Sequence, residues 1–137
     1  MKSNGSREIS SDVGTCSSLM RFDASSNVIS SIPKEIGLMT ALEELDLSYN
    51  ELTTLPPELA SCGMIQMLNL RNNCIEGCLP HTIGLVESLV HIDISFNPVD
   101  EVPRSMIGLN MMEVREYRLC CMFGRLLLYI VVVIFHI

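Results

Sequence analysis

Apolar residues recur along this chain with a rhythm that fits neither a helix nor a simple strand. Between Ala41 and Leu59 they stand at Leu42, Leu45, Leu47, Leu52 and Leu55, at gaps of three, two, five and three. An amphipathic helix needs gaps of three and four, and a half-buried strand needs gaps of two. Laying the chain over itself resolves the pattern. Stretches starting at Leu19, Leu42, Ile65 and Leu89 repeat at offsets of 23, 23 and 24 residues. Each reads apolar-x-x-apolar-x-apolar-x-x-Asn-x-apolar, followed by an apolar-Pro pair. An internal period of this length marks a stack of repeated units.

Each part of the unit has a physical reading. Phe22, Leu45, Leu68 and Ile92 are followed two residues later by Ala24, Leu47, Leu70 and Ile94. That spacing sends both sets to one side of a short strand. One strand per unit, stacked, gives a parallel sheet. Asn27, Asn50, Asn73 and Asn97 follow where the chain turns inward, and their amides can satisfy backbone groups exposed at the bend. The Ile-Pro, Leu-Pro, Leu-Pro and Val-Pro pairs at 32–33, 55–56, 79–80 and 102–103 begin the return. Ile36, Leu59, Ile83 and Met106 fill the core from that outer side. No unit buries its apolar face alone, so only the stack is stable.

On these residues the chain resembles the leucine-rich repeat proteins over about Leu19 to Leu109. The 23-residue units are similar to the short intracellular type found in Ras-suppressor-like and plant Ras-group-related proteins. The third unit, with "NNCIEGCLPHTIG", resembles the 24-residue plant-receptor type. The resemblance implies an α/β repeat solenoid: a short right-handed leucine-rich-repeat stack with a parallel β-sheet on the concave face and loops or 3₁₀ turns on the convex face. It also implies non-catalytic protein–protein binding through the concave face, in the manner of an intracellular signalling scaffold.

The outward strand positions are therefore the candidate partner-binding residues. One row holds Asp23, Asp46, Asn69 and Asp93, and a second holds Arg21, Glu44, Met67 and His91. Beyond them lie Arg71, Tyr49 and Phe96. An acidic stripe flanked by Tyr49, Met67 and Phe96 has the make-up of an interface anchor. The alternative for Tyr49 and Phe96 is packing over the adjacent turns.

Charge narrows the class of partner. The net charge of the 137 residues is −7, and 19–109 holds four basic against twelve acidic residues. Phosphate binding needs a basic face, so the expectation excludes nucleic acid. It favours a protein with a basic surface, whose encounter this field would steer. Residues 1–18 are Ser-rich and poor in large apolar groups, and read as a disordered lead. They contain no apolar signal core. Without one, the six Cys at 16, 62, 74, 78, 120 and 121 read as free thiols in a reducing, cytoplasmic setting.

Chemistry adds little. Cys74, Cys78 and His81 form C-x3-C-x2-H, one ligand short of a zinc site, and read as structural. No phosphate loop, G-x-S-x-G or H-E-x-x-H occurs, and His81, His91 and His136 have no nucleophile partner. The expectation is no enzyme, no metal and no cofactor.

After the repeats at 19–111 the pattern decays. Residues 112–122 half obey it, with Arg115 where a core residue belongs, and read as a decayed fifth repeat or cap. Residues 123–137 form an apolar tail. From Leu119 to Ile137 Arg125 is the single formal charge. As a helix that stretch would span about 28 Å, close to the roughly 30 Å of a bilayer core. The part after Arg125 would reach only about 18 Å. Three readings stay open: membrane contact through 119–137 in a tethered or receptor-like protein, an end cap, or a relic in a truncated isoform that competes with a full-length relative.

Overall fold

The computed structural model describes residues 5–108. The expectations for 109–137, including the decayed fifth repeat, the apolar tail and its membrane contact, lie outside the described residues. Six short strands are described: β1 (Arg21–Asp23), β2 (Glu44–Asp46), β3 (Met67–Asn69), β4 (Gly77–Cys78), β5 (His91–Asp93) and β6 (Val99–Glu101). β1, β2, β3 and β5 form one parallel sheet in that order. Phe22 stands beside Leu45, Leu45 beside Leu68, and Leu68 beside Ile92. Neighbours in the sheet are thus one sequence period apart, and like residues stack on like.

That register builds a continuous core. Leu45, Leu68 and Ile92 at the strand centres are buried, as are Leu47, Leu70 and Ile94 two residues on. Ile36, Leu59, Ile83 and Met106 close the core from the outer side. The turn asparagines sit within it. Asn50 Nδ2 donates to Leu47 O and to Ala24 O of the preceding unit, both at 3.0 Å. Its Oδ1 accepts from Ile29 N–H, also of that unit, at 3.0 Å. Asn73 and Asn97 repeat this one and two units further on. The buried bend therefore leaves no polar side-chain atom unpaired among the described residues.

The return side is built from 3₁₀ helices at Lys34–Leu38, Pro57–Ser61, His81–Leu85 and Arg104–Gly108. Pro33, Pro56 and Pro80 precede the first three. Proline suits that position because its φ is preset and its missing N–H would have had no partner. Successive helices pack closely: a Cβ added at Gly37 would lie 2.5 Å from Glu58 O.

One expectation needs correction. The lead at 1–18 was expected to be disordered, yet Ser11–Thr15 forms a 3₁₀ helix capped by Ser10 Oγ. Ile9 and Val13 pack against the core. The reason lies in the period: Ile9 and Val13 precede Ile32 and Ile36 by 23 residues, so this stretch is the outer half of another unit. Ser6 N–H donates to Asn27 Oδ1 at 3.1 Å, as Ile29 does to Asn50. The structure also adds a second, two-stranded sheet to the expected solenoid. In it β4 and β6 pair in parallel, with an irregularity between Gly77 and Cys78. Gly77 takes φ +68°, a conformation glycine adopts without strain, in the unit that carries the extra residue.

Candidate concave face

The sheet places every strand-borne candidate residue on one surface. Arg21, Glu44, Met67 and His91 are register partners, as are Asp23, Asp46, Asn69 and Asp93. Arg21 Nε reaches Glu44 Oε1 at 3.2 Å across the first two strands. Met67 is 48% exposed. His91 is half-buried beside it.

The acidic row has a second occupation that sequence reasoning missed. Asp23 Oδ1 accepts the Ser25 N–H at 2.9 Å, and Asp46 Oδ1 accepts that of Ser48 at 2.9 Å. Asn69 Oδ1 accepts from Arg71 N–H at 3.2 Å, and Asp93 Oδ1 from Ser95 N–H at 2.8 Å. Each is an Asx turn that ends its strand. The Ser25 backbone N–H, helped by the Ser25 hydroxyl, holds the Asp23 carboxyl below the usual aspartate range. One oxygen of each side chain is committed to the fold, and the three aspartates keep a second. In the second unit that other oxygen, Asp46 Oδ2, accepts from Asn69 Nδ2 at 3.0 Å. The signal was present in the sequence as D-A-S, D-L-S, N-L-R and D-I-S. Charge reversal at Asp46 would therefore disturb the turn as well as the surface.

The next residues carry a further surprise. Ser26, Tyr49, Asn72 and Phe96 all have positive φ, between 54° and 59°. Left-handed backbone suits Gly and Asn, and for a bulky side chain it costs about 1–2 kcal/mol. Tyr49 and Phe96 accept that strain while remaining 50% and 42% exposed. Phe96 is partly covered from the neighbouring unit: the Arg71 guanidinium lies 4.3 Å from its ring centroid. Arg71 also donates to Ser95 Oγ at 3.0 Å and lies 3.9 Å from Asp93 Oδ2.

Elsewhere the described residues hold little reactive chemistry. Among them no group of three or more His, Cys, Asp or Glu could hold a metal ion. Cys74 and Cys78 are exposed free thiols, and partial desolvation with the charge of Glu101 pushes the Cys78 thiol up. Among the described residues no helix is long and apolar enough to cross a membrane.

Comparisons agree with this architecture. A family model described as "Leucine rich repeat" matches residues 42–99. No curated protein matches significantly. Among solved structures, a chain of the BIR3–SERK2 complex from Arabidopsis thaliana is 28% identical, with a TM-score of 0.66; the match covers 73% of this chain and 55% of that one. The BIR2 ectodomain from the same plant is 32% identical, with a TM-score of 0.65, covering 72% and 53%. The leucine-rich repeat protein LIC12759 of Leptospira interrogans is 26% identical, with a TM-score of 0.71, covering 78% and 27%. The chain thus spans about half the length, or less, of these structures. It is similar to leucine-rich repeat proteins, and its fold is the solenoid found in them.

Proposed function

We propose that this protein is a non-catalytic binding module that takes a protein partner on its concave face. The observation that carries this reading is the exposure of Tyr49 and Phe96 on strained, left-handed backbone. Strain held without burial of the side chain is a mark of a functional position. Aromatic side chains on a charged rim are what interface hot spots are made from. A partner with a basic surface fits the twelve acidic against four basic residues of 19–109. The same field repels nucleic acid.

The setting we propose is the reducing interior of the cell, as for a signalling scaffold. Its support is the set of unpaired thiols at Cys16, Cys62, Cys74 and Cys78. A receptor-like protein is the second reading, favoured by the likeness to the BIR2 ectodomain and to the BIR3–SERK2 complex. Both readings use the same face.

Site-specific photo-crosslinking tests the face directly. A benzophenone amino acid at Met67, on the sheet, should form adducts with a partner in the protein's own cells. The same group at Leu85, exposed on the return side, should not. Adducts from Leu85 and none from Met67 would overturn the reading.

A further inference from the structure

The strand-side turns of this solenoid are copies of one another, so a contact made in one unit defines what its copies are shaped to make. In the fourth unit Asp93, Ser95 and Phe96 hold a guanidinium. Its owner is Arg71 of the third unit, hydrogen-bonded to Ser95 Oγ, beside Asp93 and stacked on the Phe96 ring. The second unit presents the same set in register: Asp46 for Asp93, Ser48 for Ser95 and Tyr49 for Phe96. Backbone geometry matches as well, with φ 56° at Tyr49 and 59° at Phe96. Asp46 and Asp93 close the same turn, on Ser48 N–H and Ser95 N–H. The position that supplies Arg71 to the fourth unit is filled by Ser25 for the second. Serine is short and uncharged, so the second unit holds the acceptor set without a guanidinium of its own. Neither other described unit repeats the set, since the first has Ser26 in place of the ring and the third has Asn69 in place of the carboxylate.

We propose that Asp46, Ser48 and Tyr49 form a recognition site for an arginine side chain of the protein partner. This rests on the reading of the concave face as a protein interface and names the side chain that face would take. Tyr49 is half exposed and offers a ring face for stacking. Asp46 Oδ2 accepts one bond from Asn69, which leaves it further acceptor capacity. Ser48 Oγ donates to Asp46 Oδ1 at 2.6 Å and keeps its lone pairs, as acceptor for a guanidinium N–H. A planar fork that stacks and donates at once is a property of arginine and not of lysine.

The test titrates acetyl-Gly-Arg-Gly-amide into the full chain, with acetyl-Gly-Lys-Gly-amide as control. The readouts are the NMR signals of the Tyr49 ring and the Ser48 amide. The arginine probe should saturate these shifts at a concentration on the order of threefold to fivefold below the lysine probe. Ser25→Arg reproduces the side chain found one register position along at Arg71. It should move the same signals without any probe and abolish the response to the arginine peptide. Equal responses to both peptides, no response, or an unchanged response in Ser25→Arg would overturn the proposal. The crosslinking test at Met67 uses none of these residues, so the wider reading of the face stands or falls separately.

Discussion

On the strand side of the solenoid, successive units are joined by backbone pairing and by asparagine amides that reach one unit back. On the return side they are joined by close-packed 3₁₀ helices, with Gly37 against Glu58. The first kind of joint fixes position, because a hydrogen bond made in a dry interior has few alternatives. The second needs only that surfaces fit. The sequence period follows this division. Strands β1, β2, β3 and β5 keep one register through all four units. The extra residue of the third unit falls outside the strands of that sheet, between Asn73 and Pro80, where the chain forms β4. Stacks of this kind tolerate insertion where packing is loose in register and refuse it where amides are matched one to one.

Substitution can break this contrast. The largest loss is expected from Asn73→Ala, which strands Leu52 N–H and leaves Leu47 O and Leu70 O with only the bonds from Asn50 and Asn97. At about 1–3 kcal/mol for the stranded donor and about 0.5–1.5 kcal/mol for each acceptor bond lost, a fall of several kcal/mol is expected in urea unfolding. Gly37→Val on the return side should be smaller, about 1–3 kcal/mol, because Glu58 must shift to admit the side chain. If Gly37→Val proves the more damaging, the division between the two sides is wrong. Tyr49→Asn should move the other way and raise stability by about 1 kcal/mol, by relieving the left-handed strain. A lower Tm for this variant would mean that the exposed ring packs on the fold, and would remove the support it gives to a binding role.

The smallest effect is a pH dependence. The Ser25 N–H depresses the Asp23 pKa in the folded state. A depressed carboxylate adds stability that is present above its unfolded pKa and is lost as pH falls through the folded one. Thermal melts should therefore show Tm falling as the solution is acidified through and below the usual aspartate range. Asp23→Asn keeps an oxygen for the turn and should flatten part of that slope; an unchanged slope would show that the bond contributes nothing.

Much of this was legible in the residues themselves. The offsets of 23, 23 and 24 placed the strands, and the Asn row located the buried bends. Side-chain polarity carries that kind of information well. Backbone conformation it carries poorly. Ser26, Tyr49, Asn72 and Phe96 share one left-handed φ, yet only Asn72 is a residue that suggests it. The Asp row was read as surface alone, because an Asx turn is marked by a two-residue spacing that charge obscures. The half unit around Ile9 and Val13 was missed because Ser10 stands where the repeats have Pro and Thr15 where Leu38 and Leu85 stand. Stacking, rather than local propensity, gives that stretch its structure. Arg71 was placed on the face, but its stacking on Phe96 belongs to the contact between units, which a single repeat does not contain.

The asparagine bonds also have a direction. Asn50 accepts from Ile29 and donates to Ala24; Asn73 accepts from Leu52 and donates to Leu47; Asn97 accepts from Ile75 and donates to Leu70. In each case the later residue fastens the earlier unit. A ribosome releases the chain in that same order. The residue that latches each of these units is thus made one period after the unit itself. A chain cut between two asparagines would therefore leave its last unit without this latch.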